Sequence, residues 1–131
     1  KQERTLRAAA RLCFPRIEHL IMLADLKRRG FKIGVATNSI RLTATSMLSF
    51  AGVYESLDVL VTNEDVSQAK PDPEIYTSAC RQLGLEPERV LVVEDNQYGI
   101  AAAKAAGCDV VQVIEPAQLN LQLLELHLGE S

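Results

Sequence analysis

Residues 90–106, VLVVEDNQYGIAAAKAA, decide the predicted fold, because an apolar run passes through two acids into a helix-like pattern. The first four residues predict a buried strand, and Asn96 is a residue type that caps a following helix. Glu94 and Asp95 therefore fall where the strand ends. In a parallel α/β sheet this edge forms the ligand crevice, so the two acids are candidate ligands for Mg²⁺. The simpler alternative is that they only favour the positive end of the helix.

The rest of the chain alternates helix and strand patterns, most of them bounded by glycine or polar turn residues. Helices are expected at residues 17–29, 41–51, 73–83 and 97–106, and strands at residues 31–37, 57–62, 90–93 and 110–114. Residues 119–128 mix both periodicities and are expected to form a short helix, and residues 1–12 contain good helix formers. Strands that alternate with helices predict βαβ units and a doubly wound parallel sheet in the α/β class.

Composition limits the classes of function. The chain has 131 residues, of which 47% are apolar and 24% charged, with a net charge of −3. This profile is typical of one soluble globular domain. We expect no nucleic-acid partner and no membrane partner, because the charge is negative and no apolar run approaches the ~20 residues of a membrane helix. Three cysteines without Cys/His ligand spacing predict reduced thiols and a cytoplasmic location.

Candidate ligand groups also follow the other predicted strands. Thr37, Asn38 and Ser39 end the first strand, and their hydroxyls and backbone N–H groups suit an anionic phosphate oxygen. Lys70 follows the second strand, where a flexible ammonium group could neutralise phosphate charge. Each signal is weak alone, because T-N-S is a common turn-like triplet and a lysine before a proline is usually just exposed. On one rim with the acid pair, they predict a site for phosphate and a cation.

Three stretches resemble a known family. VATNS at 35–39, KPDPEIY at 70–76 and VLVVEDNQYGIAAAKAAG at 90–107 resemble the second, third and fourth motifs of the haloacid dehalogenase-like hydrolases. The resemblance is to phosphatases and phosphomutases of the β-phosphoglucomutase and phosphoglycolate phosphatase type, and it spans residues 17–114. It implies a doubly wound core and Mg²⁺-dependent phosphoryl transfer from a small phosphorylated metabolite. The phosphoryl group would pass through an aspartyl-phosphate on an Asp-x-Asp motif.

The resemblance implies a role for each candidate residue. Thr37 and the backbone at Asn38 would bind the transferring phosphoryl group. Lys70 would steady both the nucleophile and the phosphate, so Thr37 and Lys70 are the candidate catalytic residues. Glu94 and Asp95 would help to hold Mg²⁺, which neutralises the phosphate oxygens.

The chain departs from the family pattern in its first motif. No Asp-x-Asp pair occurs in the 131 residues, so the central first-motif strand and most of the cap are expected to be missing. We interpret residues 1–14 as a remnant of a cap helix and hinge, and residues 15–131 as a single core domain. An upstream segment or a second chain is expected to fill the central slot of the sheet, with direct pairing of the two half-sheets as the alternative.

Two functions therefore stay open. The first is a truncated Mg²⁺-dependent phosphohydrolase that is inactive without its nucleophile. The second is a non-catalytic binding or regulatory module that keeps the fold. Retention of Thr37, Lys70, Glu94 and Asp95 favours the first, because a domain freed from catalysis has no need of all four.

Overall fold

The computed structural model describes residues 5–8, 17–114 and 118–128. In this part of the chain the strands are β1 (Thr5–Ala8), β2 (Lys32–Ala36), β3 (Val59–Val61), β4 (Val90–Glu94) and β5 (Asp109–Gln112). The helices are α1 (Ile17–Arg28), α2 (Arg41–Phe50), α3 (Glu74–Leu83), α4 (Gln97–Ala106) and α5 (Leu121–Leu128). Every helix and strand predicted from residue 17 onward is present, with bounds that shift by about two residues or fewer. None of the described helices is long and apolar enough to cross a membrane.

The strands form one parallel sheet in the order β3-β2-β1-β4-β5. The order is not sequential, because the chain builds outward in one direction from the centre and then in the other, with helices as crossovers. The five residues of β4 are all buried, as expected for a strand covered on both faces. The predicted doubly wound α/β class is confirmed.

Strand β1 corrects one expectation, because the helix predicted over residues 1–12 is wrong for Thr5–Ala8. These residues lie between β2 and β4, with Leu6 paired with Ile33 on one side and with Leu91 on the other. An empty slot would leave two rows of backbone N–H and C=O groups unpaired, and a parallel strand pairs both rows. This gain outweighs the helix propensity of four residues. The rest of the expected cap remnant and hinge lies outside the described residues.

The central slot is therefore occupied by residues of this chain, and the two half-sheets do not pair directly with each other. The occupying segment reads TLRA and carries no carboxylate. The centre of the sheet, where the resemblance leads us to expect a first-motif strand, is filled by a segment without an Asp-x-Asp pair.

Apolar clusters cover both faces of the sheet. Successive residues of β4 alternate between them, since Leu91 and Val93 join one cluster and Val90 and Val92 join the other. The first cluster contains side chains of α1, α2 and α5, and the second contains those of α3 and α4. In α4, Ala102 and Ala103 are fully buried, and such small side chains let the helix approach the sheet closely.

Candidate functional site

An open cavity of about 420 Å³ lies where β2 and β4 end. Its lining includes all five predicted site residues, which are Thr37, Asn38, Lys70, Glu94 and Asp95. Five further residues complete the lining: Ala36, Ser39, Met47, Asn96 and Tyr98. The convergence follows from the topology, because parallel strands end at the same edge and the segments after them share that edge. The functional roles of the five residues stay predictions.

The turn after β2 presents backbone and hydroxyl groups to the cavity. The N–H of Thr37 donates to the carbonyl of Val61 over 3.0 Å, and the Thr37 hydroxyl oxygen accepts from the N–H of Ser39 over 3.1 Å. The backbone N–H of Asn38, between them, has no protein acceptor within the described part of the chain. An exposed N–H beside a hydroxyl is a suitable donor for an anionic oxygen.

Lys70 reaches the same cavity from the loop after β3. Its side chain is only 8% exposed, and its Nζ donates to the carbonyl of Ala36 over 3.2 Å and to Oε2 of Glu94 over 2.6 Å. The backbone N–H of Lys70 makes a long contact of 3.4 Å with Oδ1 of Asn38. The ammonium group is thus held at the ends of β2 and β4, and it places a positive charge in the cavity wall.

Glu94 is the buried member of the acid pair, with 1% of its surface exposed. Its Oε2 accepts from both Lys70 Nζ over 2.6 Å and the Tyr76 hydroxyl over 2.5 Å. A buried carboxylate is costly unless it is paired and hydrogen-bonded, and these two donors meet that need. Oε2 of Glu94 is thus occupied by the donors of Lys70 and Tyr76. The role of Glu94 as a metal ligand stays a prediction.

Asp95 is the exposed member of the pair and lines the cavity. The next residue caps α4 as predicted, since Oδ1 of Asn96 accepts from the N–H of Tyr98 over 2.8 Å. Mg²⁺ is commonly held by one or two carboxylates together with substrate phosphate and water, and an exposed aspartate beside an anion-binding turn fits this donor set. Within residues 5–8, 17–114 and 118–128, no cluster of three or more His, Cys, Asp or Glu side chains could hold a metal.

Tyr76 and Gly99 belong to this site and carry no predicted role. The motif KPDPEIY ends at Tyr76, and a buried tyrosine hydroxyl usually has a hydrogen-bond partner, which is the signal that could have placed it at the acids. A glycine in the first turns of α4 is a signal for close approach. A Cβ at Gly99 would lie 2.0 Å from the Glu94 carboxylate.

A larger cavity of about 650 Å³ lies beside α5 and shares no lining residue with the cavity at the ends of β2 and β4. Amide and apolar side chains line it, together with one carboxylate, Glu125. It lacks the combination of ammonium, carboxylate and anion-binding turn that distinguishes the cavity at the strand ends.

A family model described as haloacid dehalogenase-like hydrolase matches residues 11–113. Validoxylamine A 7'-phosphate phosphatase of Streptomyces hygroscopicus subsp. limoneus is 45% identical over 86 residues, which cover 66% of this chain and 40% of that protein. Phosphoglycolate phosphatase of Cupriavidus necator is 37% identical over 100 residues, which cover 76% of this chain and 42% of that protein. The chain thus spans well under half the length of these curated relatives.

Experimentally determined structures share this fold. A crystal structure of β-phosphoglucomutase from Clostridium difficile matches with a TM-score of 0.75, and the match covers 86% of this chain and 55% of that one. The sequence identity is 22%, so this likeness concerns the fold alone. It agrees with the doubly wound sheet described above.

Proposed function

This chain belongs to the haloacid dehalogenase-like hydrolase family, and we propose that it provides the phosphate and cation subsites of a Mg²⁺-dependent phosphohydrolase acting on a small phosphorylated metabolite. The observation that carries the proposal is that Thr37, Lys70 and Asp95 line one cavity at the strand ends. The names of the two phosphatases that this chain resembles support a phosphate ester as substrate.

The rim offers a complementary group for each part of a phosphate–cation pair. The Lys70 ammonium and the Asn38 N–H would bind phosphate oxygens, and the Thr37 hydroxyl would add a third contact. Asp95 would hold Mg²⁺, with Glu94 as the predicted second ligand. When bound, the ion neutralises charge on the phosphate oxygens. In this proposal the cavity residues bind and orient the phosphate, and none of the described residues is assigned as its nucleophile.

A second candidate function is a non-catalytic module that binds a phosphorylated ligand. The observation that favours it is β1, which occupies the central position of the sheet and ends at Ala8. Neither β1 nor residues 9–16 contain an Asp or Glu, so no carboxylate follows this strand to accept a phosphoryl group. The enzyme reading therefore requires a carboxylate from outside this segment.

Titration of the protein with inorganic phosphate tests the proposed subsites. Isothermal titration calorimetry in the presence and absence of Mg²⁺ should show tighter phosphate binding with the ion. Asp95→Asn should abolish that Mg²⁺ dependence, because it removes a charged oxygen ligand, whereas the neighbouring Asn96→Ser should retain it. Equal Mg²⁺ dependence in the wild type and Asp95→Asn would remove Asp95 from the site.

Turnover distinguishes the two candidate functions only when a segment that carries a nucleophilic carboxylate is supplied, because the truncated hydrolase is inactive without it. With that segment added, release of p-nitrophenol from p-nitrophenyl phosphate, lost in Lys70→Ala, would identify a hydrolase. Phosphate binding with no release above that of a heat-treated control under the same conditions would identify the binding module. This chain alone should show no release in either case.

A further inference from the structure

Three groups meet at one oxygen beside the phosphate cavity. Tyr76 lies in α3, is fully buried, and donates its hydroxyl to Oε2 of Glu94 over 2.5 Å. Lys70 Nζ donates to the same oxygen over 2.6 Å and lies 5.2 Å from the centroid of the Tyr76 ring. The tyrosine therefore contacts both members of the buried ion pair.

The three N–H groups of the Lys70 ammonium explain how its contacts with Glu94 and Tyr76 affect anion binding. An ammonium group has three N–H donors, and two of them are used by the carbonyl of Ala36 and by Glu94. Among the described residues no third acceptor is present, and the group lies in the cavity lining. One donor is thus available to a ligand oxygen as long as the other two stay fixed.

Glu94 stays fixed because α3 and α4 confine its carboxylate from two sides. The Tyr76 hydroxyl binds Oε2, and the backbone of Gly99 approaches so closely that an added Cβ would lie 2.0 Å from the carboxylate. Both contacts keep the carboxylate in place, and the carboxylate in turn keeps the ammonium at the cavity.

We propose that Tyr76 is a positioning residue of the phosphate site, whose hydroxyl holds Glu94 where the carboxylate directs the Lys70 ammonium toward the ligand. The role as a phosphate site rests on the proposed function, whereas the placement of the ammonium does not. A purely structural tyrosine would contribute only its ring to the core. Tyr76→Phe separates the two, because it keeps the ring and removes the hydroxyl.

Calorimetric titration with inorganic phosphate gives the first test. Tyr76→Phe should weaken phosphate binding about tenfold, the size of one lost charge-assisted hydrogen bond. Tyr54→Phe, which removes a hydroxyl from a partly exposed tyrosine outside the cavity, should leave the affinity unchanged. In a Lys70→Met background the effect of Tyr76→Phe should fall below about twofold, because the residue that it positions is gone. An undiminished effect in that background, or wild-type affinity in Tyr76→Phe, would overturn the proposal.

NMR of the phosphate-free protein gives a second test that does not depend on the proposed function. The Lys70 ammonium protons should exchange slowly with water in the wild type and at least about tenfold faster in Tyr76→Phe. Unchanged exchange overturns the positioning role even if phosphate binds. If phosphate fails to bind the wild type, the proposed function fails while the exchange rates still decide this inference. If Tyr76→Phe does not fold, a nuclear Overhauser effect between the Tyr76 hydroxyl proton and the Lys70 ammonium in the wild type supports the proposal, and its absence refutes it.

Discussion

Gly99→Ala should destabilise the protein through a single contact. A Cβ at this position would lie 2.0 Å from both Cδ and Oε2 of Glu94 and 2.2 Å from Oε1. Non-bonded carbon atoms prefer separations of about 3.5–4.0 Å, so the carboxylate or α4 must move by about 1.5 Å. Glu94 is 1% exposed, and its carboxylate can move only by giving up its contacts with Lys70 and Tyr76.

The expected loss in free energy of unfolding can be estimated from the two ways in which the structure could relieve the clash. If Glu94 leaves Lys70, the buried pair is broken, which costs about 3–5 kcal/mol. If α4 shifts instead, overpacking costs about 1–3 kcal/mol. Alanine is favoured over glycine by up to about 1 kcal/mol in a helix, which leaves a net loss of about 2–4 kcal/mol by the first route and about 0–2 kcal/mol by the second. We expect a loss of about 2 kcal/mol, where the two ranges meet. For a chain of this length, that corresponds to a fall in Tm of about 8 °C.

Urea and thermal unfolding followed by far-UV circular dichroism measure this loss, since the chain has no tryptophan. The decisive comparison is with a Glu94→Ala background, where the added methyl group meets no carboxylate and Gly99→Ala should cost less than about 0.5 kcal/mol. Gly84→Ala is the control, because Gly84 has a φ of +71° and no atom within 4 Å of an added Cβ. Its cost of about 1–2 kcal/mol comes from the left-handed backbone and should be equal in both backgrounds. An equal cost of Gly99→Ala in the two backgrounds would refute the reasoning.

Asp58 and Asp65 give two further predictions. Asp58→Ala should lower the free energy of unfolding in urea by about 1.5–3 kcal/mol. The reason is that Oδ2 of Asp58 accepts from Ile33 N over 2.7 Å and from Lys27 Nζ over 2.9 Å. A loss below about 0.5 kcal/mol would contradict this. Burial works to raise the pKa of Asp58, but these bonds outweigh it, and the Thr62 N–H and Arg41 lower the pKa of Asp65. Both folded-state pKa values lie below those of the unfolded chain, so the stability they add is present above about pH 4 and is lost as the pH falls further. Urea midpoints between about pH 5 and 2.5 should fall less steeply in Asp58→Ala, and parallel curves would argue against the assignment.

Local sequence patterns were sufficient to predict the helices and strands from residue 17 onward. Apolar runs of strand length, helical periodicity and bounding glycines or polar residues mark the elements within residues 17–114, and Gly84 and Gly107 end α3 and α4 with positive φ. Residues 119–128 were less clear, because they mix both periodicities. Strand β1 has only a weak pattern, because TLRA alternates polar and apolar residues over just four positions and no glycine or polar turn residue follows it directly. Its conformation is set by the unpaired backbone of β2 and β4 on either side, which is a tertiary effect that no local pattern reveals.

The separate environments of the two acids were also within reach of the sequence. Residues two apart in a strand lie on the same face, so Glu94 shares a face with Val90 and Val92. That face is covered by α3 and α4, which bring Tyr76 and Gly99 to the carboxylate. The pattern predicts a buried Glu94, whereas its pairing with Lys70 depends on how far the loop after β3 reaches.

The spacing of the cysteines in the sequence did not predict that two of them are in contact. Cys80 and Cys108 are 28 positions apart and match no ligand pattern, yet their sulfur atoms lie 3.8 Å apart in the apolar cluster beneath α3 and α4. Both side chains are buried, and the prediction of reduced cysteines stays a prediction. Their contact arises because Cys80 lies on the buried face of α3 and Cys108 directly follows α4, a relation set by helix packing.

The groups proposed to bind phosphate lie outside the central strand β1, whereas a nucleophilic carboxylate would be expected at the end of β1. The carboxyl end of β1 lies between β2 and β4, since Ala8 pairs with Val93 and Arg7 pairs with Gly34. A carboxylate at that end would stand between the turn that carries Thr37 and the strand that carries the acids, whereas Ala8 has only a methyl group. The groups that would bind phosphate lie on β2, β4 and the loop after β3, so they do not depend on β1 for their chemistry. The hydrolase and the binding module therefore predict the same phosphate affinity and the same effect of Tyr76→Phe, and they differ in turnover only when a carboxylate is supplied at the carboxyl end of β1.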